Sequence, residues 1–144
     1  MAQSGIVWTK PPSALNPAIV MYGNKVRAAV VMVESKIGAN METYAKDNVP
    51  WTDRTAHARQ GLFYAVDSER EIKLSESPEW KELLPTQEQA AISVAKDVVA
   101  LYLSHSMTYG KWLELCNAGK YSVIMRTMEA HYGELMQMLK AIFK

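Results

Sequence analysis

The chain has 144 residues, 49% of them apolar and 22% charged, a composition that excludes a disordered segment and suits one domain with its own core. A net charge of +1 excludes a global electrostatic footprint for nucleic acid or an anionic membrane and leaves only local basic patches. Cys116 is the single cysteine, which excludes an intrachain disulfide and a cysteine-rich zinc site and makes a reducing compartment the default.

The N-terminal residues, MAQSGIVWTKPPSALNP, lack a charged stretch followed by an apolar one, so no signal peptide is expected. The longest apolar run, residues 28–33, is far too short to span a bilayer. The expectation is a soluble protein made inside the cell. Residues 1–16 carry Pro11 and Pro12, which break regular structure, beside Ile6, Val7 and Trp8. They read as an N-terminal arm, either a frayed tail or one whose Trp8 docks onto a neighbour.

Asn16-Pro17 reads as a helix start, with Asn as cap and Pro at the first helical position. Ile19, Tyr22, Val26, Val30, Val33, Ile37, Met41 and Tyr44 then recur at spacings of three and four, predicting one apolar stripe on a helix that runs to about Asp47. Lys25, Arg27, Glu34, Lys36, Glu42 and Lys46 fall largely outside that stripe. Asn48-Val49-Pro50 ends the helix, because the residue before Pro avoids the α region.

Residues 62–66 read as a strand. The charged stretch 67–88, with Pro78 and Pro85, reads as an excursion that holds a short strand at 71–74 and a helical turn around 79–84. Residues 91–94 and 98–104 are β-rich runs split by Ala95-Lys96-Asp97, which predicts a hairpin, though one without the usual Gly. Residues 109–116 are ambiguous, and Asn117-Ala118-Gly119 breaks whatever they form. Met125, Met128, Tyr132, Leu135, Leu139 and Ile142 predict a C-terminal amphipathic helix. Both helices need a partner for their stripes, so they are expected on one face of a small antiparallel sheet, an α+β domain over 17–144 with an excursion at about 67–90.

Two dense stretches stand out. Residues 48–61, NVPWTDRTAHARQG, hold Trp51, Asp53, Arg54, Thr55, His57 and Arg59. Acid–base chemistry is one reading of such a cluster. The other is a capped corner: Asp53 and Thr55 suit a helix N-cap, Trp51 clamps the entry, and Gly61 closes the short helix in the left-handed conformation. Arg59 can then pair with Asp53 or Glu114, while Arg54 points outward. Tyr109-Gly110-Lys111-Trp112-Leu113-Glu114 reads either as core or as interface anchors. His57, His105 and His131 show no His-Glu-x-x-His spacing, and no glycine-rich phosphate loop exists, so neither a metal site nor a cofactor site is expected. Ser104-His105-Ser106 places hydroxyls beside an imidazole, but neighbours on a strand point to opposite faces. Cys116, with only Lys111 and Lys120 nearby, reads as a small buried hydrophobe. The enzyme reading has no anchor.

These two stretches, in this order and followed by residues 120–129, KYSVIMRTME, resemble the tail-completion, or head–tail joining, minor virion proteins of long-tailed bacteriophages. Members have a long N-terminal helix and then a Pro-x-Asp-Thr-Gly-x-Leu-Arg-like segment that opens a strand. A Tyr…Glu-Phe-Gly-like segment and a Pro-x-Leu-x-Pro-Ala-like entry into the C-terminal helix follow. Pro50, Asp53, Thr55 and Arg59 fall on the first motif, Tyr109 and Glu114 on the second, and Arg126-Thr127-Met128-Glu129 on the last. Arg54 is an extra residue between the Asp and the Thr, Ala56 stands where the family has Gly, and no Phe-Gly follows Glu114.

The resemblance spans roughly residues 17–144 and implies a structural virion protein without enzymatic activity. Such a protein completes or caps the tail at the neck and joins it to the head connector. The family's rings are often six-fold, so the implied partners are copies of the chain itself and other neck, connector and tail proteins, with DNA only as cargo passing through the lumen and no membrane. The implied location is the neck–tail junction of a virion made in the host cytoplasm. Trp8, Trp51, Asp53, Arg54, Thr55, Arg59, Tyr109, Trp112 and Glu114 are the structural or interface candidates. The alternative is a small monomeric host-directed binding protein or inhibitor that uses the 51–59 and 109–114 surfaces.

Overall fold

A computed structural model describes residues 12–52, 54, 56–68, 71–74 and 99–144. Trp8, Asp53, Thr55, the helical turn at 79–84 and the strand at 91–94 with its hairpin lie outside the described residues.

Helix α1 spans Leu15–Asp47, 33 residues, about 50 Å at 1.5 Å per residue. It starts earlier than the sequence predicts. A 3-10 turn at Pro12–Ala14 runs straight into it, and Ala14, not Asn16, is the cap residue. Pro12 opens that turn because its fixed φ suits a helical start. Pro17 is tolerated because the first amides of a helix have no internal partner. The far end is where Asn48-Val49-Pro50 places it: the Asn48 amide and its Nδ2 both donate to the Tyr44 carbonyl, at 3.0 and 2.9 Å.

The predicted stripe on α1 is only half used. Residues 13–25 are all exposed, and Leu15, Ile19, Val20, Met21 and Tyr22 stand more than half in solvent. The buried face lies in the second half, on Glu34, Ile37, Gly38, Met41, Glu42 and Ala45. Glu34 and Glu42, expected outside the stripe, are therefore inside it. Glu42 is accommodated by partners: its Oε1 accepts from Lys46 at 2.6 Å, and its Oε2 accepts from the Tyr64 amide at 3.4 Å.

Three strands form an antiparallel sheet in the order β2-β1-β3, with β1 at Leu62–Ser68, β2 at Glu71–Leu74 and β3 at Ala100–His105. The register pairs Leu62 with His105 and Tyr64 with Leu103 on one side, and Ala65 with Leu74 on the other. The short strand expected at 71–74 is therefore present, and β3 begins two residues later than the predicted run. Gly38 lets α1 lie close on the sheet, since a Cβ there would stand 2.4 Å from Tyr64 Cδ2 and 2.9 Å from Leu101 Cδ1.

The last helices are α2 at His57–Gln60, α3 at Gly110–Leu115 and α4 at Ile124–Ile142. Helix α4 contacts both α1 and β3. Ile37, Met41, Ala45, Leu62, Leu103 and Val123 form the core, with Tyr64, Leu101, Ile124, Leu135 and Met138 packed against it. This is an α+β arrangement with the two long helices on one face of the sheet. The inward face of α4 departs from the predicted one in the first half of the helix, whereas Leu135 packs on the core and Leu139 and Ile142 are half-buried as expected. Met125, Met128 and Tyr132 are exposed, whereas Thr127 is 1% exposed and His131 sits edge-on to Tyr44 at 5.1 Å.

Candidate functional site

The corner after α1 starts with Trp51, which is half-buried, packs on the core and lies 6.2 Å from the His105 ring at a tilt of 43°. Arg54 is exposed, as expected. Ala56, not Asp53 or Thr55, occupies the N-cap position of α2, and its backbone is left-handed at φ 59°, ψ 0°. Gly61 is not left-handed, contrary to the expectation: φ is −79°. Its lack of a side chain serves packing instead, because a Cβ would stand 2.8 Å from Met107 Cγ and 2.9 Å from Ser106 Oγ. His57 is half-buried and Arg59 exposed.

Glu114 is the best-connected of the candidates. From α3 its carboxylate reaches the start of α4, where Oε1 accepts from the Val123 and Ile124 amides at 3.0 and 3.2 Å. Oε2 accepts from Ser122 Oγ at 2.8 Å, and His105 Nε2 lies 3.2 Å from Oε1. Partial burial pushes the Glu114 pKa up, but bonds from His105, the Val123 amide, Ser122 and the Ile124 amide outweigh it and bring the pKa down to about 2. The ionised carboxylate can only accept, so His105 carries its proton on Nε2. Val123, the N-cap residue of α4, has no capping side chain; Glu114 supplies that function from another helix, with a charge suited to the positive helix end.

Of the two carboxylates expected to pair with Arg59, Glu114 is bonded instead to His105, Ser122 and the α4 amides, and Asp53 lies outside the described residues. It also shows what the sequence reading missed. His105, set aside there, links the two dense stretches: Trp51 lies beside its ring, and Glu114 lies on its Nε2. Gly110 permits this contact, because a Cβ there would stand 2.4 Å from His105 Cβ. The available signal was Glu114 itself, the single carboxylate in residues 98–128. Ser122 and His105 each address the carboxylate rather than one another, so the cluster locks elements together and does not prepare a nucleophile.

The turn between α3 and α4 is tight. Asn117, Ala118 and Gly119 are all left-handed, at φ 55°, 53° and 72°. This reversal delivers Glu114 to the end of α4, and it is the break expected at Asn-Ala-Gly. Tyr109 and Trp112 are not core: both are exposed, Trp112 by 60%, with Lys111 Nζ 5.3 Å from the Trp112 ring. Cys116 is half-buried.

Two clefts flank this framework. One, of about 500 Å³, lies between the corner and the α3–α4 turn and is lined by Pro50, Trp51, Arg54, Leu113, Lys120 and Tyr121, with Thr52. The other, of about 210 Å³ and mostly apolar, lies beside α1 and α4 against Met41, Leu101, Met128, Tyr132 and Leu135. Among the described residues no group of three or more His, Cys, Asp or Glu side chains is placed to hold a metal ion, and no helix is long and apolar enough to cross a membrane. Set against protein-family models, curated proteins and solved structures, the chain matches none at a significant level.

Proposed function

We propose that the chain is a structural virion protein of a bacteriophage, one subunit of a ring at the neck that completes or caps the tail and joins it to the head connector. The observation that carries the reading is the left-handed backbone of Ala56. Ala56 stands where the resembled motif has Gly, and a position with positive φ is where glycine is favoured. The segment then opens strand β1, as the family's does.

The surface supports the same reading. Residues 15–24 of α1 contain no charged residue, yet they lie wholly in solvent. An uncharged stretch with Leu15, Ile19, Val20, Met21 and Tyr22 exposed suits burial inside a larger body, and ten residues are too few to span a bilayer. Exposed Trp112 and Tyr109 add the aromatic anchors that protein interfaces favour. On this reading the chain is not an enzyme, and its residues 48–61 serve as a rigid corner.

Light scattering on the purified chain, combined with mass spectrometry of intact virions, tests the proposal. A ring-sized oligomer and recovery of the chain from particles are expected. A strict monomer absent from particles supports a host-directed binding protein or inhibitor in its place.

A further inference from the structure

The cleft between the corner and the α3–α4 turn has a definite chemistry. Arg54 and Lys120, both exposed, line it together with Trp51, Leu113 and Tyr121, and no carboxylate is among the described lining residues. Glu114, one residue from the lining Leu113, is bonded to His105 and the α4 amides. Arg126 is outside the described lining, its Nη2 donating to the Lys120 carbonyl at 3.5 Å. Neither Arg54 nor Lys120 is paired with a carboxylate among the described residues. Lys120 instead lies 5.4 Å from the Tyr121 ring.

A chain of net charge +1 that gathers cations here must carry an acidic excess elsewhere. It does so at residues 75–89, SESPEWKELLPTQEQ, where Glu76, Glu79, Glu82 and Glu88 stand against Lys81, interleaved with Trp80, Leu83 and Leu84. Carboxylates alternating with large apolar side chains are what a cleft of two cations and aromatic walls can hold. We propose that this cleft receives residues 75–89 of a second copy of the chain. The two surfaces are unlike, so the contact is head-to-tail and repeats from subunit to subunit until a ring closes. Nucleic acid fits less well, because two cations neutralise too few phosphates for useful affinity at physiological salt. The ring's place in a virion rests on the function proposed above, but self-association through this contact does not.

Reciprocal charge reversal in the full-length chain tests it. One variant carries R54E and K120E, the other E76K, E79K and E82K, and sedimentation velocity reads association at low and high salt. The wild type is expected to associate at low salt, and each variant alone to associate about tenfold or more weakly. An equimolar mixture of the two is expected to regain assembly, because each reversed surface then meets its complement in the other chain. Unchanged circular dichroism and thermal melting show that the variants fold; R54Q with K120Q replaces a variant that does not, and weakened association is again expected. A monomeric wild type, variants that associate like the wild type, or a mixture that stays dissociated would each overturn the proposal. Loss of binding to a labelled DNA duplex by the R54E and K120E variant, with association intact, assigns the cleft to nucleic acid and also overturns it.

Discussion

Glu114 and Glu34 are both carboxylates removed from open solvent, and their surroundings act on them in opposite directions. Glu114 collects four donors, which hold its pKa at about 2 against the upward pull of its partial burial. Glu34 is 6% exposed on α1, its Oε2 has no hydrogen-bond partner among the described residues, and burial raises its pKa to about 7. In the unfolded chain both titrate near 4.5. The depressed pKa of Glu114 thus stabilises the fold above 4.5, and this contribution fades as pH falls from 4.5 through 2. The raised pKa of Glu34 makes its contribution complete below 4.5 and lost as pH rises from 4.5 through 7. Urea unfolding across pH separates the two. Glu114→Gln is expected to cost about 1–3 kcal/mol at pH 7 through weakened charge-assisted bonds, with the gap to wild type closing towards pH 2. Glu34→Gln is expected to match the wild type at pH 4 and to exceed it at pH 8. Parallel pH profiles for all three chains would contradict both assignments.

At the scale of elements, helix α2 is entered through Ala56 at φ 59°. An L-residue with a side chain pays about 1 kcal/mol for that backbone, and Gly does not. Ala56→Gly is therefore expected to stabilise the fold by about 0.5–1 kcal/mol in chemical denaturation, despite the greater freedom glycine gives the unfolded chain. A loss of stability would contradict the left-handed turn. The ends of α1 show how local signals differ in strength. Pro50 and Asn48 mark the C-terminus unambiguously, because one forbids continuation and the other caps the last carbonyls. Asn16-Pro17 suits a start equally well, but Pro12 suits one too, and the earlier was used. Periodicity found both long helices and, on α4, placed Leu135, Leu139 and Ile142 inward correctly but not Met125, Met128 and Tyr132. Ile124, Thr127 and His131 share one side, Met125, Met128 and Tyr132 the adjacent one, and both sides repeat at helical spacing. Tertiary contact with α1 and β3 decides between them, and no local pattern encodes it.

For the molecule as a whole, the α+β layout was legible because two long helical patterns flank short β-rich runs, which leaves few ways to bury both stripes. The meeting of the two dense stretches was not legible. It depends on β3 ending beside Leu62, on Gly110 admitting α3 over His105, and on a left-handed turn that carries Glu114 to α4, none of which a linear motif encodes. The result is a framework that exposes three surfaces: the charge-free start of α1, the aromatic Tyr109–Trp112 edge and the basic cleft. In the proposed ring, many modest contacts repeated around it can hold a subunit firmly without one exceptional interface. The proposed joining role is tested most directly by electron microscopy of phage particles made with this gene silenced by a nonsense codon. Filled heads and finished but separate tails are the expected result, and normally joined particles would contradict it.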